Sequence, residues 1–406
     1  MTDGVVLAHD YATQRGGAER VALLLAQVFP GSPMYTTLYD ADGTFPELAS
    51  VPLRTGVLDR VGVLRRHHRL ALPVLAAAVD RQRVEGDVLL ASSTGWAHGY
   101  RGAARTVVYC HAPARWLYQT DRYLGSHAPA GSTVDRVRAS AARAALATLA
   151  PRLREWDRRA AARADVYLAN STVTRDAVRA AYGIEAEVLA PPPALSPDGP
   201  EHAPRALGAD ARGGAEDGDA AGHLLCVARL LPYKNVDVVI EAALRAGRRL
   251  VVVGDGPDRS RLAGLAARGR PGQVRLVGRV DDAELRWLYR HAALLVAASY
   301  EDYGLTPLEA GAFGKPVAAL RAGGYLDTVV PGVNGVFFHD VTADGVAAAV
   351  ESALATSWDE GTVLGHVDRF GTARFAERLR QVVGAQVDLV RGRATAAAAT
   401  EGAGVR

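Results

Sequence analysis

The sequence has 406 residues, of which 49% are hydrophobic and 22% charged, a composition typical of globular proteins rather than disordered or fibrous ones. A net charge of +3 gives no sign of nucleic-acid binding, and two distant cysteines, Cys110 and Cys226, indicate neither a disulfide framework nor a metal site. The sequence shows no signal peptide and no apolar stretch long enough to span a membrane, so we expect a cytoplasmic protein.

The first half of the chain alternates short apolar runs with stretches of helical periodicity. These runs predict strands at 4–8, 87–91, 106–110 and 165–169, and helices at 17–29, 134–163 and 173–182. Short buried strands alternating with helices are typical of a parallel sheet built from βαβ units.

The amino-acid composition changes near residue 190. Three consecutive prolines and a stretch rich in Gly, Ala, Asp and Pro indicate a linker or insertion over 191–221. The alternation then restarts, with strands predicted at 224–228, 250–253, 274–277 and 294–298, and helices at 236–244, 259–267 and 282–289. We therefore expect an α/β protein with two doubly wound, Rossmann-like parallel-sheet domains, over 1–190 and 222–369. A disordered tail is expected over 391–406.

Two candidate sites in the first domain follow predicted strands. Gly16 and Gly17 open the first helix, where glycine lets a ligand approach and free N–H groups bind an anion; a tight strand-to-helix turn is the alternative. His111 follows the strand at 106–110, the end of a strand that faces the ligand in such sheets. A lone histidine is, however, more often structural.

A pair of cations follows the first strand of the second domain. Arg229 and Lys234 lie five residues apart, across a proline turn, and could clamp a diphosphate. A solvated basic loop is the alternative. Of the 47 basic residues only Lys234 and Lys315 are lysine, which favours a role that arginine cannot fill.

The most specific stretch covers residues 299–312. Glu301 is expected in a loop, and the free N–H groups around Gly304, Leu305 and Thr306 would point at a phosphate. Glu309 is expected within the helix that follows, where its carboxylate could accept hydrogen bonds from the vicinal hydroxyls of a ribose or hexose. Stabilisation of the helix N-terminus explains Glu301 well but Glu309 poorly.

Several motifs are missing from the sequence. No Asp-x-Asp stands at a strand end, and no spaced cluster of His and Cys suggests a metal ligand set. The absence of a P-loop argues against a nucleoside triphosphatase, and the absence of a dinucleotide fingerprint argues against a dehydrogenase. We therefore expect no metal and no cofactor.

The stretch from Glu301 to Glu309 resembles the Glu-x7-Glu signature of retaining GT-B glycosyltransferases, family 4 in particular. Supporting matches occur in the same order along nearly the whole chain, at Gly16-Gly17, Arg229 with Lys234, 254–257, Gly323-Gly324 and 331–335. The segment around Cys110-His111 resembles a variant of mannosyltransferase-like members. The sequence departs from the family at Asn235, where glycine is frequent.

The resemblance implies two domains that face a central cleft, and a helix over 370–390 that returns to the first domain. It implies that Arg229 and Lys234 neutralise the donor diphosphate. Glu309 would hold the ribose hydroxyls, while Glu301 and His111 would contact the transferred sugar.

For the backbone, the resemblance implies that the amides of Leu305 and Thr306, beside Gly304, bind phosphate or sugar oxygens. Gly17, with Gly16, would lie against the diphosphate or the acceptor. Catalysis would then depend on charge stabilisation and positioning, without a metal or a covalent nucleophile.

The expected function is therefore retaining transfer of a hexosyl unit from a nucleotide-sugar, with GDP-mannose the first donor to try. A sugar-nucleotide epimerase or hydrolase, or a non-catalytic nucleotide-sugar-binding homologue, remains an alternative. The acceptor would be a carbohydrate or a lipid-linked glycan. Residues 60–83 carry six arginines against one acid and could lie on anionic lipid at the inner membrane surface, although a solvated helical face is slightly favoured.

Overall fold

The computed structural model describes residues 4–66, 68, 71–119, 148–207 and 222–403, apart from the side chains of 73, 394 and 396–403. The chain divides into two compact units. One comprises Met1–Pro191 with Ala373–Arg406, and the other Pro192–Thr372. The expected domain limits at 190 and 370 lie within three residues of these.

The first unit contains a seven-stranded sheet in which every neighbouring pair is parallel, with the order β3-β2-β1-β4-β5-β6-β7. The strands are β1 (Val5–His9), β2 (Met34–Thr36), β3 (Leu53–Thr55), β4 (Val88–Ser93), β5 (Arg105–Cys110), β6 (Val166–Ala169) and β7 (Glu187–Val188). The strand order reverses direction between β1 and β4, the place where sheets of this kind bind ligands.

Helices connect these strands. They are α1 (Gly17–Val28), α2 (Gly62–Arg66), α3 (Leu72–Arg81), α4 (Arg115–Tyr118), α5, whose described part covers 148–161, and α6 (Thr172–Tyr182). Short 3-10 turns lie at Pro46–Ser50, Val57–Arg60 and Ala97–Gly99. Residues 134–147 of the helix predicted over 134–163 lie outside the described residues, as do His67 and Arg69 of the basic segment.

Alternating side chains of the first sheet enter two apolar cores. Val6 and Ala8 of β1 belong to one core, whereas Val5 and Leu7 belong to the other. Helices must therefore cover both faces of the sheet, which explains why its central strands are apolar at consecutive positions.

The second unit contains a six-stranded parallel sheet of order β10-β9-β8-β11-β12-β13, reversing direction between β8 and β11. Its strands are β8 (His223–Val227), β9 (Leu250–Val253), β10 (Val274–Gly278), β11 (Ala292–Ala297), β12 (Val317–Leu320) and β13 (Gly335–Phe338). Its helices are a 3-10 turn at Pro232–Lys234, then α7 (Val236–Arg245), α8 (Arg259–Ala266), α9 (Asp282–His291), α10 (Leu305–Ala312), α11 (Tyr325–Thr328), α12 (Ala343–Ala355) and α13 (Glu360–Asp368).

The last helix, α14 (Thr372–Ala403), packs into the first unit. Its side chains Phe375, Leu379 and Val383 are buried in the same core as Leu7 of β1 and Leu90 of β4. The prediction of a helix over 370–390 with a disordered tail from 391 underestimated this element, because the alanine-rich end carries no apolar periodicity and yet continues the helix.

The described part of the expected linker or insertion, 191–207, packs against the second unit. Leu195 and Leu207 are buried in the core of the second unit. Arg286 on α9 donates to the carbonyl oxygens of Ser196 and Pro200. Two leucines and the carbonyls between them therefore fix a segment whose composition suggests a flexible connection. No helix in the described part of the chain is long and apolar enough to cross a bilayer.

Candidate active site

The Lys234 turn lies beyond the end of β8. Arg229 is exposed two residues after that strand, and the 3-10 turn Pro232–Lys234 follows. Asn235 closes the turn with φ at 54° and ψ at 32°, a left-handed conformation, and its amide donates to the Ala298 carbonyl at 2.8 Å. The side chain of Asn235 thus joins the Lys234 turn to the end of β11, and its left-handed backbone explains why glycine is common here in the resembling family.

Lys234 and Glu301 form an ion pair. The Lys234 Nζ donates to Glu301 Oε1, and the two side chains are 13% and 28% exposed. Ser299 Oγ donates to the same carboxylate oxygen at 2.6 Å and lies 3.2 Å from the hydroxyl of Tyr325, which is buried. Two candidates separated by 67 positions in sequence are therefore in contact, and Ser299, itself in contact with Tyr325, fixes the carboxylate.

Helix α10 begins at Leu305, with Gly304 as its N-cap and no side-chain cap. Gly304 has φ at 92°, and a Cβ there would lie 2.6 Å from Tyr325 Cδ1, so only glycine suits the position. The first backbone N–H groups of the helix, at Leu305 and Thr306, are those that an intrahelical bond cannot satisfy. The helix start thus presents donors of the type that bind phosphate.

Glu309 lies inside α10, as predicted, and is 8% exposed. The hydroxyl of Tyr289 on α9 donates to Glu309 Oε2 at 2.8 Å. The Tyr289 ring is fully buried and stacks on Phe313, with ring centroids 5.4 Å apart. Burial, followed by the charge of Glu309, raises the pKa of Tyr289, so the tyrosine stays a donor to the carboxylate.

Glycines pack the loops around these residues. A Cβ at Gly254 would lie 1.9 Å from the carbonyl oxygen of Ala228, and one at Gly256 would lie 2.2 Å from that of Leu230. The Gly324 N–H donates to the Glu301 carbonyl at 2.7 Å. The loops after β8 and β9 are therefore in backbone contact, as are the loops after β11 and β12.

Gly16 and Gly17 lie at the start of α1 in the first unit. Gly16 is the N-cap residue and Gly17 the first residue of the helix. A Cβ at Gly16 would lie 2.6 Å from Oε2 of Glu19, which is buried in the first turn. The strand-to-helix turn that the sequence offered as the alternative to a ligand site is thus present, and the first N–H groups of a helix point outward from its N-terminus.

His111 follows β5 and is 5% exposed. Its Nε2 lies 2.9 Å from Ser92 Oγ, which in turn lies 3.0 Å from Nδ1 of His9. Burial, with smaller contributions from His9 and Arg115, lowers the pKa of His111 to about 3. The imidazole is therefore neutral at ordinary pH and cannot act there as a cation.

Several residues near the candidates were not singled out from the sequence. Asp10, after β1, accepts hydrogen bonds from the backbone N–H groups of Trp96 and Ala97 at 2.9 and 2.6 Å. His9, Ser92 and Tyr289 support candidate residues as described above. The signal was available for His9 and Ser92, because both stand at the carboxyl ends of strands where the sheet order reverses. No such signal marks Tyr289 in the sequence, because a tyrosine at a helical position is equally typical of an aromatic residue in the core.

Among the described residues, no group of three or more His, Cys, Asp and Glu side chains is arranged to hold a metal ion. The side chains that gather at the ends of β8 and β11 are instead a lysine, two carboxylates and hydroxyls. This set can bind a diphosphate through charge and the hydroxyls of a sugar through carboxylates.

Solved structures identify the fold class. The chain superposes on Alr3699/HepE from Anabaena in complex with UDP-glucose with a TM-score of 0.66 at 18% identity, covering 94% of this chain and 100% of that one. It also superposes on WaaG, a glycosyltransferase involved in lipopolysaccharide biosynthesis, with a TM-score of 0.55 at 16% identity, covering 93% and 99%. The two parallel-sheet units are thus the Rossmann-like domains of a GT-B glycosyltransferase fold.

Sequence comparisons add matches that are concentrated in the second unit. Residues 219–361 match the family model described as "Glycosyl transferases group 1". Glycogen synthase from Pseudomonas aeruginosa is 39% identical over 133 residues, which are 32% of this chain and 26% of that protein. D-inositol 3-phosphate glycosyltransferase 2 from Catenulispora acidiphila is 33% identical over 192 residues, 42% and 45% of the two chains. The chain thus spans less than half of each of these relatives.

Proposed function

We propose that the protein is a retaining glycosyltransferase that moves a hexosyl unit from a nucleotide-sugar to a carbohydrate or lipid-linked acceptor. The observation that carries this proposal is the Lys234–Glu301 contact beside the start of α10, inside the segment that matches the glycosyltransferase model. The names of the relatives support it, as does the UDP-glucose bound to HepE.

The two cations, Arg229 and Lys234, would stabilise the charge of the leaving group. A nucleoside diphosphate leaves with additional negative charge, which Arg229 and Lys234 would stabilise together with the N–H groups of Leu305 and Thr306. Lys234 is held by Glu301 in an ion pair, so its ammonium would already be positioned beside the expected diphosphate. Preorganisation of this kind lowers the barrier because no reorientation is needed during the reaction.

The two carboxylates would bind hydroxyls. Glu309, buried and oriented by Tyr289, would accept hydrogen bonds from the ribose. Glu301 would accept one from the transferred sugar, and His111, being neutral, would contact the same sugar as a polar but uncharged group. Gly16 and Gly17 would lie against the diphosphate or the acceptor. None of these roles requires a metal or a cofactor, and we expect activity to survive a chelator.

The donor can be identified by thermal shift with GDP, UDP, ADP and TDP and their sugar conjugates. A ligand that binds only the folded state raises the apparent Tm, so a selective shift reveals the base. GDP-mannose is the first donor to test, and UDP-glucose follows because HepE binds it. Transfer is then measured as acceptor-dependent release of the nucleoside diphosphate. No shift with any nucleotide would contradict the proposal.

The same assays separate the alternatives. A sugar-nucleotide epimerase or hydrolase would convert the donor without any dependence on acceptor. A non-catalytic homologue would show a thermal shift with the nucleotide-sugar and no turnover. If release of the nucleoside diphosphate rises with acceptor concentration and saturates, the result supports a transferase and neither alternative.

We also propose that the described residues 57–66 and Val74, which overlap the basic segment 60–83, contact an anionic membrane and bring the enzyme to a lipid-linked acceptor. Four of the nine exposed large apolar side chains among the described residues fall in this segment: Val57, Val61, Val63 and Val74, 46–62% exposed. Arg60, Arg65 and Arg66 are exposed between them. Apolar side chains interleaved with arginine suit a surface that inserts shallowly among acidic headgroups. WaaG, named for lipopolysaccharide biosynthesis, supports a lipid-linked acceptor.

Vesicle sedimentation tests this surface. Replacing both Arg65 and Arg66 with Gln should weaken binding to anionic vesicles roughly thirtyfold, at about 1 kcal/mol for each charge. Replacing Arg158 and Arg159, an exposed pair on α5 of the same unit, provides the matched control. Equal weakening by both double variants, or equal binding to neutral vesicles, would contradict a specific membrane surface.

A further inference from the structure

Three polar side chains meet at the carboxyl ends of β1, β4 and β5 in the first unit. Ser92 Oγ lies 3.0 Å from His9 Nδ1 and 2.9 Å from His111 Nε2. The strand register pairs His9 with Ser92, and Ser92 with Tyr109, so the parallel strands bring these ends side by side. All three of the polar side chains are at most 5% exposed.

Both histidines are neutral in this environment. Burial lowers the pKa of His111 to about 3, and burial also lowers the pKa of His9, although the adjacent Asp10 opposes that change. Each ring therefore carries one N–H, and the serine hydroxyl carries one proton. The two nitrogen–oxygen contacts can hold only two of these three protons, which restricts the possible tautomers.

His9 can either donate to Ser92 or accept from it, and the environment of its other ring nitrogen, Nε2, favours one of these two arrangements. His9 Nε2 is buried and has no hydrogen-bond partner in the described part of the chain. If Ser92 donated to His9, the N–H of that ring would lie at Nε2 with no acceptor, and an orphaned buried N–H is rarer than an orphaned acceptor. The favoured arrangement has His9 Nδ1–H donating to Ser92 Oγ.

The proton of Ser92 then has one destination. With His9 donating to Ser92, the hydroxyl donates to His111 Nε2, because donation from both rings would leave the hydroxyl proton without an acceptor among the described contacts. The lone pair at His111 Nε2 is thereby occupied. The proton of the His111 ring must lie on Nδ1.

We propose that His9 and Ser92 are positioning residues that fix His111 in the Nδ1–H tautomer, so that it meets a sugar oxygen as a neutral hydrogen-bond donor. The tautomer follows from the first unit alone. The role toward a sugar rests on the proposed function, which assigns His111 to the transferred hexose. The arrangement makes His111 a donor of a hydrogen bond and not a general acid or base.

Long-range proton–nitrogen NMR on the full chain labelled with 15N-histidine tests the tautomer directly. The two rings are assigned by comparing the spectra of the wild type, His9→Asn and His111→Gln. The expected result is a protonated Nδ1 and an unprotonated Nε2 in both rings. A protonated Nε2 in His111 would overturn the proposal, whatever the protein proves to catalyse.

Matched replacements of His9 test the positioning role. The amide nitrogen of Asn can occupy the position of Nδ1 and donate to Ser92, whereas that of Gln reaches the position of Nε2 and cannot. We expect His9→Asn to keep turnover and His9→Gln to lose about tenfold in kcat, the equivalent of one hydrogen bond, with the KM for acceptor unchanged. Equal losses from both variants, or none, would show that His9 has only a structural role.

Adjacent serines provide the control. Ser92→Ala should reduce kcat as His9→Gln does, and should move the His111 ring toward its other tautomer in the NMR spectrum. Ser93 is equally buried but contacts His98 Nδ1 at 3.0 Å, on a different cluster. Ser93→Ala should leave the tautomer of His111 unchanged, and an identical response to both alanines would overturn the proposal. Absence of transferase activity in the wild type would contradict the proposed function, while the NMR result would still decide the tautomer.

Discussion

Replacement of Asn235 tests how much its left-handed backbone and its side-chain hydrogen bond contribute to the stability of the second unit. Asn235 is the one residue other than glycine with positive φ in the described ranges of the chain. It connects the 3-10 turn to α7, and its side chain donates to the Ala298 carbonyl at 2.8 Å. Alanine tolerates the left-handed backbone poorly and offers no donor, so Asn235→Ala should destabilise the second unit.

The magnitude follows from these two contributions. A left-handed conformation costs an L residue with a Cβ about 1–2 kcal/mol, a penalty from which Asn is largely spared by its short polar side chain. The lost hydrogen bond contributes about 1 kcal/mol. Asn235→Ala should therefore lower the free energy of unfolding by roughly 2–3 kcal/mol. Asn235→Gly removes only the hydrogen bond and should cost about 1 kcal/mol.

Urea unfolding of the full chain measures both variants. Of the five tryptophans, Trp287 and Trp358 belong to the second unit and the other three to the first, so tryptophan fluorescence and circular dichroism are recorded together and the transition that shifts in the variants is assigned to the second unit. The expected result is a lower midpoint for the alanine variant than for the glycine variant at an unchanged slope. If Asn235→Ala proved no less stable than Asn235→Gly, the left-handed backbone at this position would not be a source of destabilisation.

Three further predictions concern the candidate site. Lys234→Ala should lower kcat by about 10²–10³ because an electrostatic stabiliser of the leaving group is lost; Lys315→Ala is the matched control, and an unchanged kcat would contradict the role of Lys234. Tyr289→Phe should weaken nucleoside diphosphate binding about tenfold by calorimetry, and Glu309→Ala should weaken it more, since Tyr289 orients the Glu309 carboxylate; an unaltered Kd would refute this. Because folding lowers the pKa of His111 from 6.5 to about 3, the unfolded chain binds the additional proton. Stability should then fall by up to about 1.4 kcal/mol for each pH unit between pH 6.5 and about 3. His111→Gln should flatten this decline of Tm with acid, and an identical acid profile of the variant would count against the reasoning.

The sequence predicted the central strands of both sheets because these are buried on two faces. The predicted run 250–253 is β9, and the run 106–110 differs from β5 by one residue. Strands β2, β3 and β7 were missed, since runs of two or three residues carry no periodicity. Strand β12 was missed because alanine at its centre is equally typical of a helix.

The candidate residues could be predicted where the residue type or its spacing is unusual in the sequence. A lysine among many arginines and two carboxylates around a helix start are examples that the sequence shows directly. The contacts that orient them are not, because they depend on which strands become neighbours. Ser299 and Tyr325 are 26 positions apart, and nothing in their spacing indicates that they contact each other beside the Glu301 carboxylate.

The membership of α14 in the core of the first unit has a consequence for the order of folding during synthesis. The ribosome releases residues 192–372 before it releases Phe375, Leu379 and Val383, which complete the core around β1 and β4. The unit whose chain emerges first is therefore the last whose core can close. Until the final helix arrives, the apolar positions of β1 and β4 on that face remain uncovered, so the earlier-made sheet is the part of the nascent chain that most needs protection from aggregation.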